Sequence, residues 1–263
     1  MSEQPSAVVT VDRAGAVAIV TLRRPRQLNS LNAETAAALN AAAADIAADD
    51  GIKAVVVTGE GKAFSAGADI KEFNELETAD DFRVFLRDLE AACRAWELLP
   101  KVAVAAVNGI ALGGGLELAL GCDLRIADPR ARFGLPEIKL GILPGAGGTQ
   151  RLPRVVPPAV ATRMILTGEP VSAEEALRIG LVNEIAPEGG AVERAVELAG
   201  VIAEQAPLSV ATAKRLLDRG PTLPLEAALE LERDAVSMLF TPADRAEGVA
   251  AFTEKRTPKF TGR

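Results

Sequence analysis

Two compact apolar runs, residues 52–58 and Val102–Val107, constrain the fold of this chain most strongly. Each has the length of a buried strand and is too short to cross a bilayer. Good helix formers fill the stretch Ala79–Leu98 between them, and Pro100 ends that helix. Strands that alternate with helices predict an α/β fold.

The alternation extends to both sides of these runs. Residues 8–11 and Val17–Leu22 are two short strands separated by the turn-prone residues 12–15, which predicts a hairpin. An alanine-rich helix is expected at Ala33–Ala48, and a short apolar helix opened by glycines precedes a strand at Leu124–Ala127. The sheet therefore occupies the first half of the chain.

From about residue 159 onward, the sequence predicts almost only helices. Ser172 followed by Glu175 is the pattern of a capping box, which begins one helix. Four further helices are expected at residues 191–205, 209–219, 225–239 and 242–254. A single main domain with a helical appendage fits the length of 263 residues.

Composition narrows the chemistry that is open to the chain. The net charge is −7 and no basic run is present, so we expect no nucleic-acid partner. The chain contains no histidine and no tyrosine, which leaves proton transfer to carboxylates, lysine, cysteine or water. Cys93 and Cys122 match no metal motif and are expected to be buried thiols.

Residues 1–5 lack a leader pattern, and we expect a cytoplasmic chain with no membrane partner.

One carboxylate, Glu117, stands in a helix whose other side chains are almost all apolar. Its ionisation should be perturbed if it points into a core or a cavity. The alternatives are that it reaches the surface or pairs with Arg125. Gly113, Gly114 and Gly115 open this helix, and they suit either a backbone that a ligand approaches closely or simply a tight turn.

Two further segments carry small residues or a second acid. The loop 61–71 permits a close backbone contact, although it can equally be an ordinary connection. In residues 133–149, Glu137 lies among apolar residues and turn formers, and an exposed loop acid is the alternative interpretation. The glycine pattern of dinucleotide-binding folds is absent.

Taken together and in order, these segments resemble the motifs of the crotonase superfamily, and most closely those of enoyl-CoA hydratase. The resemblance covers nearly the whole chain. It rests on residues 24–25, 28–31, 63–70, 108–109, 113–117, 122–123, 133–148, 180–183 and 252–256.

The resemblance implies a spiral of ββα units, placed at residues 1–195, and a C-terminal helical trimerisation region at residues 196–263. It implies a homotrimer or a dimer of trimers. The backbone amides of Ala68 and Gly114 would form an oxyanion hole, and Glu117 and Glu137 would be the two catalytic acids. Coenzyme A contacts would come from Arg24, Arg26, Ala66, Asp69, Ile70, Lys71 and Lys255, with Arg256 as a further candidate.

The expected function is hydration of a 2-enoyl-CoA to a 3-hydroxyacyl-CoA in fatty acid β-oxidation. No metal or other cofactor is expected, because coenzyme A enters as part of the acyl-CoA substrate. Two alternatives stay open at this point: another crotonase-type reaction, such as isomerisation of the double bond or hydration of a specialised acyl-CoA, and a catalytically silent CoA-binding protein.

Overall fold

A computed structural model describes residues 7–263 of the chain. Residues 1–5, whose sequence shows no leader pattern, lie outside the described residues. No described helix is both long enough and apolar enough to cross a membrane.

Strands and helices alternate through the first half of the described chain, as the sequence predicted. The strands are β1 (Val9–Ala14), β2 (Val17–Leu22), β3 (Ala54–Gly59), β4 (Ala63–Ser65), β5 (Val102–Val107), β6 (Ile110–Leu112), β7 (Leu124–Ala127), β8 (Arg132–Gly134), β9 (Val171–Ser172) and β10 (Glu184–Ile185). The helices are α1 (Ala33–Ala48), α2 (Ile70–Asn74), α3 (Ala79–Leu98), α4 (Gly114–Gly121), α5 (Gly148–Val155), α6 (Pro158–Thr167), α7 (Ala173–Arg178), α8 (Ala191–Ala203), α9 (Pro207–Arg219), α10 (Leu225–Met238) and α11 (Ala243–Glu254).

The strands form two sheets that the chain visits in turn. The larger sheet has the order β1-β2-β3-β5-β7-β10, and only its edge strand β1 is antiparallel to its neighbour. The smaller sheet has the order β4-β6-β8-β9. Three strands of the larger sheet, β3, β5 and β7, are each followed by a strand of the smaller sheet, and helices follow the first two of these pairs directly. This repeat confirms the α/β fold built from ββα units.

Alternate side chains of the larger sheet serve two different cores. Val55 and Val57 of β3 face the main core, which also contains α1 and α3. Val56 faces the opposite way, toward Ala195 and Ala199 of α8. The predicted division at residues 195/196 therefore runs through a helix that packs on the sheet, and the separate helical layer begins at α9. The role of this layer in oligomerisation stays a prediction.

Lys214 of α9 links the helical layer to the sheet. Its Nζ donates to the carbonyl oxygens of Trp96 and Lys101, each at 3.0 Å, and to Oδ2 of Asp123 at 2.8 Å. The lysine side chain is only 8% exposed. The ammonium group of Lys214 thus donates hydrogen bonds to three oxygen atoms close to the starts of β5 and β7.

Several local expectations were wrong in detail. The hairpin turn lies at Gly15 and Ala16, because β1 continues to Ala14 instead of ending at residue 11. Helix α7 has half of a capping box: Ser172 accepts from the Glu175 amide, but the Glu175 carboxylate pairs with Arg178. The short strands β9 and β10 interrupt a region that was expected to be helical.

Candidate active site

The site is built around the glycines that open α4. Every residue of this helix is buried, and Glu117 is 1% exposed. A Cβ atom at Gly115 would collide with the backbone oxygen of Ser65, so the glycine allows α4 to lie directly on β4. Gly113 has a φ of +52°, and a Cβ there would lie 2.9 Å from Oε1 of Glu137. The contact between α4 and β4 therefore requires glycine at position 115. The left-handed backbone beside the Glu137 carboxylate requires glycine at position 113.

Two backbone amides lie side by side at this turn. No hydrogen bond within residues 7–263 uses the N–H of Ala68 or of Gly114. A Cβ built on Gly114 would lie 3.5 Å from the Ala68 nitrogen, so the two peptides are neighbours. The Leu31 N–H donates to Gly67 O at 2.8 Å, and the Asp69 N–H donates to Leu31 O at 2.9 Å. These two bonds fix the peptides on either side of the Ala68 amide, and free, fixed amides are suited to bind developing negative charge.

Glu117 is anchored by one of its two carboxylate oxygens. Oε1 accepts the amide of Ala146 at 2.8 Å and the amide of Gly148 at 2.7 Å. No hydrogen bond to Oε2 is found among the described residues. Burial raises the pKa of Glu117, while the two amides and the charge of Arg151 oppose that rise. The carboxylate is thus held with one oxygen available to a ligand.

Arg125 does not pair with Glu117, which removes the structural alternative for this acid. The Arg125 guanidinium donates instead to the carbonyl oxygens of Leu181, Ala119 and Cys122. Cys93 and Cys122 are free and buried, as expected.

Glu137 lies in a short 3-10 helix, Pro136–Leu140, and is half-buried. Its Oε2 is buried without a hydrogen-bond partner in the described structure. Burial and the nearby charge of Glu117 raise the pKa of Glu137 to about 7. A carboxyl group with such a pKa is protonated in a large fraction of molecules near neutral pH, so it can donate a proton. It is not the exposed loop acid that was the alternative interpretation.

The residues expected to contact coenzyme A fall into two groups. Arg24 and Asp69 form an ion pair of 2.8 Å in which both side chains are largely buried, and Ser30 donates to the same Asp69 oxygen at 3.0 Å. Asp69 also caps α2 by accepting the Lys71 amide at 3.1 Å. The Asp69 carboxylate is therefore occupied by protein donors, and the pKa of Asp69 is lowered by Arg24, the Lys71 amide and Ser30 against the opposing effect of burial.

The other expected contacts, Arg26, Ile70, Lys71, Ala66 and Lys255, are more accessible than this ion pair or lie apart from it. Arg26 lines a surface cavity of about 480 Å³ together with Arg24, Arg23 and Glu60. Ile70 is half exposed, Lys71 is exposed, and Ala66 is partly buried beside them in the loop that leads to α2. Lys255 lies apart, at the end of α11 with a φ of +57°. No hydrogen bond or ion pair in residues 7–263 joins it to this loop.

Sequence reasoning missed the amides of Ala146 and Gly148 and the arginine behind them, Arg151. The only local signal was a basic residue near the start of a short glycine-led helix. No group of three or more His, Cys, Asp or Glu side chains within the described residues is placed to hold a metal ion.

The chain is similar to known proteins over nearly its whole length. The model of the enoyl-CoA hydratase/isomerase family matches residues 12–263. The short-chain-enoyl-CoA hydratase of Clostridium acetobutylicum is 42% identical over 94% of this chain and 95% of the relative. The 2,3-dehydroadipyl-CoA hydratase of Escherichia coli is 42% identical over 96% and 98%. The crystal structure of an enoyl-CoA hydratase from Bacillus anthracis superposes with a TM-score of 0.95 at 40% identity, over 97% of this chain and all of that one.

Proposed function

This chain belongs to the enoyl-CoA hydratase/isomerase family, and we propose that it is a hydro-lyase that adds water across the 2,3 double bond of a 2-enoyl-CoA. One observation carries the proposal: two carboxyl groups with raised pKa values, Glu117 on the helix that the glycines open and Glu137 beside Gly113, accompany the free amides of Ala68 and Gly114. The similarity of the chain to several named hydratases supports the same reaction.

The reaction requires stabilisation of negative charge on the thioester oxygen. When a nucleophile adds to C3, electrons of the double bond move toward the thioester carbonyl and give an enolate-like oxygen. In this proposal the amides of Ala68 and Gly114 donate to that oxygen. Removing one such donor in other enzymes costs about 3 kcal/mol of transition-state stabilisation, so the pair supplies a large part of the acceleration.

The two acids supply and remove protons. Ionised Glu117, anchored through Oε1, accepts a proton from the attacking water at its free Oε2. Protonated Glu137 delivers a proton to C2, which completes the addition of one hydroxyl and one hydrogen. The two groups interact electrostatically, so a pH profile reports the pair as a unit.

We further propose that the cavity beside Arg24 and Arg26, with Lys71, receives phosphates of coenzyme A. Adenine would lie against the loop of Ala66, Asp69 and Ile70, and no cofactor beyond the thioester would be needed. Lys255 would reach this ligand only from elsewhere in an assembly, either a homotrimer or a dimer of trimers. We also propose that this hydration is a step of fatty acid β-oxidation and that the protein is cytoplasmic.

The reaction is tested with crotonyl-CoA, by following loss of the conjugated thioester absorbance and identifying 3-hydroxybutyryl-CoA by mass. A 3-enoyl-CoA is assayed in parallel for isomerisation. Formation of the hydrated product supports the proposal. If the protein only moves the double bond, or binds CoA esters without turnover, the proposed function is wrong.

A further inference from the structure

We infer that Arg151 is a positioning residue for the hydration proposed above, on which this inference rests. Its guanidinium holds the loop 146–148 so that two amides of the loop keep one oxygen of Glu117 in place. It does not touch the reacting atoms in this arrangement and acts only through Glu117.

A continuous set of hydrogen bonds joins Arg151 to the acid. On one side the arginine binds α3, with Nε and Nη2 donating to Oε2 of Glu97 at 3.0 and 2.6 Å. On the other side Nη1 donates to the carbonyl oxygen of Ala146 at 2.7 Å. The amide of the same residue, Ala146, donates to Oε1 of Glu117 at 2.8 Å. A single residue, Ala146, therefore connects the guanidinium of Arg151 to the carboxylate of Glu117.

Gly147 makes room for this guanidinium. It has a φ of +107°, and a Cβ atom there would collide with Nη1 of Arg151. The side chain of Arg151 is 15% exposed, so the loop and α3 enclose most of it. Loop conformation and arginine placement are thus mutually dependent.

Arg151 is the fourth of the eight residues of α5, and its guanidinium bonds to Glu97 of α3 and to the carbonyl of Ala146 instead of to its own helix. Arg154 lies one turn further along, is exposed, and donates to a carbonyl of its own helix. The two arginines of α5 therefore provide a matched comparison.

Three charged or titratable side chains from the elements packed around α4 interact electrostatically with Glu117. They are Arg151 from α5, Glu137 from the 3-10 helix and Cys93 from α3. Only Arg151 carries a positive charge in this group, and it lowers the pKa of Glu117 against the effect of burial. Loss of the guanidinium should therefore make Glu117 harder to ionise.

The first experiment measures kcat and KM for crotonyl-CoA against pH in the wild-type protein, Arg151→Gln and Arg154→Gln. We expect Arg151→Gln to lower kcat by about tenfold to a hundredfold, as small misplacements of a reacting group do. KM should change much less, and the acid-side limb of the kcat profile should move to higher pH. Arg154→Gln should match the wild type. A folding defect would lower kcat at every pH and leave the limb in place, which would overturn the inference.

A second measurement does not depend on turnover. The infrared carboxyl band that Glu117→Gln removes is titrated in the wild type, Arg151→Gln and Arg151→Lys. The pH midpoint of this titration should rise in Arg151→Gln. It should return toward the wild-type value in Arg151→Lys, because lysine restores the positive charge, although it does not reproduce the simultaneous hydrogen bonds to Glu97 and Ala146. An unchanged midpoint in folded Arg151→Gln overturns the inference. Absence of wild-type hydration with a shifted midpoint would instead count against the proposed reaction alone.

Discussion

The burial of Glu137 should make the chain less stable at alkaline pH, and Glu137→Gln should remove that cost. The pKa of this carboxyl is raised from an ordinary 4.5 to about 7. Below pH 4.5 the group is protonated in both the folded and the unfolded chain and has no effect on the pH dependence. Between the two values only the unfolded chain ionises, so stability falls as pH rises, and it levels off above pH 7.

The magnitude follows from the shift. At 1.36 kcal/mol per pKa unit, ionisation of Glu137 costs the folded state about 3 kcal/mol at pH 8 relative to acidic pH. Glutamine has the same shape and no charge, so Glu137→Gln should gain about that much stability over the wild type between pH 4.5 and pH 8. The gain appears in a protein expected to have lost hydration activity.

The assay is denaturant unfolding of wild type and variant at pH 4.5 and pH 8, at the same protein concentration because an assembly would make stability concentration-dependent. Exposed Glu204 gives the control: Glu204→Gln should show the same difference from wild type at both pH values. If Glu137→Gln gains no stability relative to wild type on going from pH 4.5 to pH 8, the burial argument for Glu137 is refuted.

Three other substitutions test packing: Gly115→Ala with Gly200→Ala as its control, and Lys214→Met. Gly115→Ala should lower the free energy of unfolding by about 1 to 3 kcal/mol, because the new methyl group meets the backbone of Ser65; Gly200→Ala, where no atom lies within 4 Å, should raise it by about 0.5 to 1 kcal/mol. Lys214→Met should cost about 3 kcal/mol because it leaves Asp123 with an unpaired charge. Thermal melting compares all three, and a neutral Gly115→Ala or Lys214→Met would contradict these contacts.

Most of the larger sheet could be predicted from the sequence because its signals are local. The strand Val102–Val107 is a compact apolar run, and Ala79–Leu98 is a helix that ends just before a proline. The smaller sheet was not predictable in this way. Ala63–Ser65 has only three residues and is a strand because Ile110–Leu112, far along the chain, pairs with it.

The same difference between local and long-range signals decides which parts of the candidate site could be predicted. The apolar helix around Glu117 suggested a core or cavity position, with the surface or a pair with Arg125 as alternatives, and the structure places the residue in the interior. Its anchor could not be predicted, because the amides of Ala146 and Gly148 lie about thirty residues away and are brought in by tertiary packing. Arg24 and Asp69 were expected only as ligand contacts, and their mutual ion pair joins two loops whose approach no local pattern specifies.

In the proposed reaction Glu117 and Glu137 act as a unit in one addition of water: Glu117 accepts the proton of the water and Glu137 delivers a proton to C2. The most direct test is the initial rate of crotonyl-CoA hydration by the wild type, Glu117→Gln, Glu137→Gln and the double variant, each checked for folding. We expect a large loss in each single variant and little further loss in the double variant, since the effects of residues that act as a unit are not additive. Single losses that multiply in the double variant, or a single variant that retains wild-type activity, would contradict it.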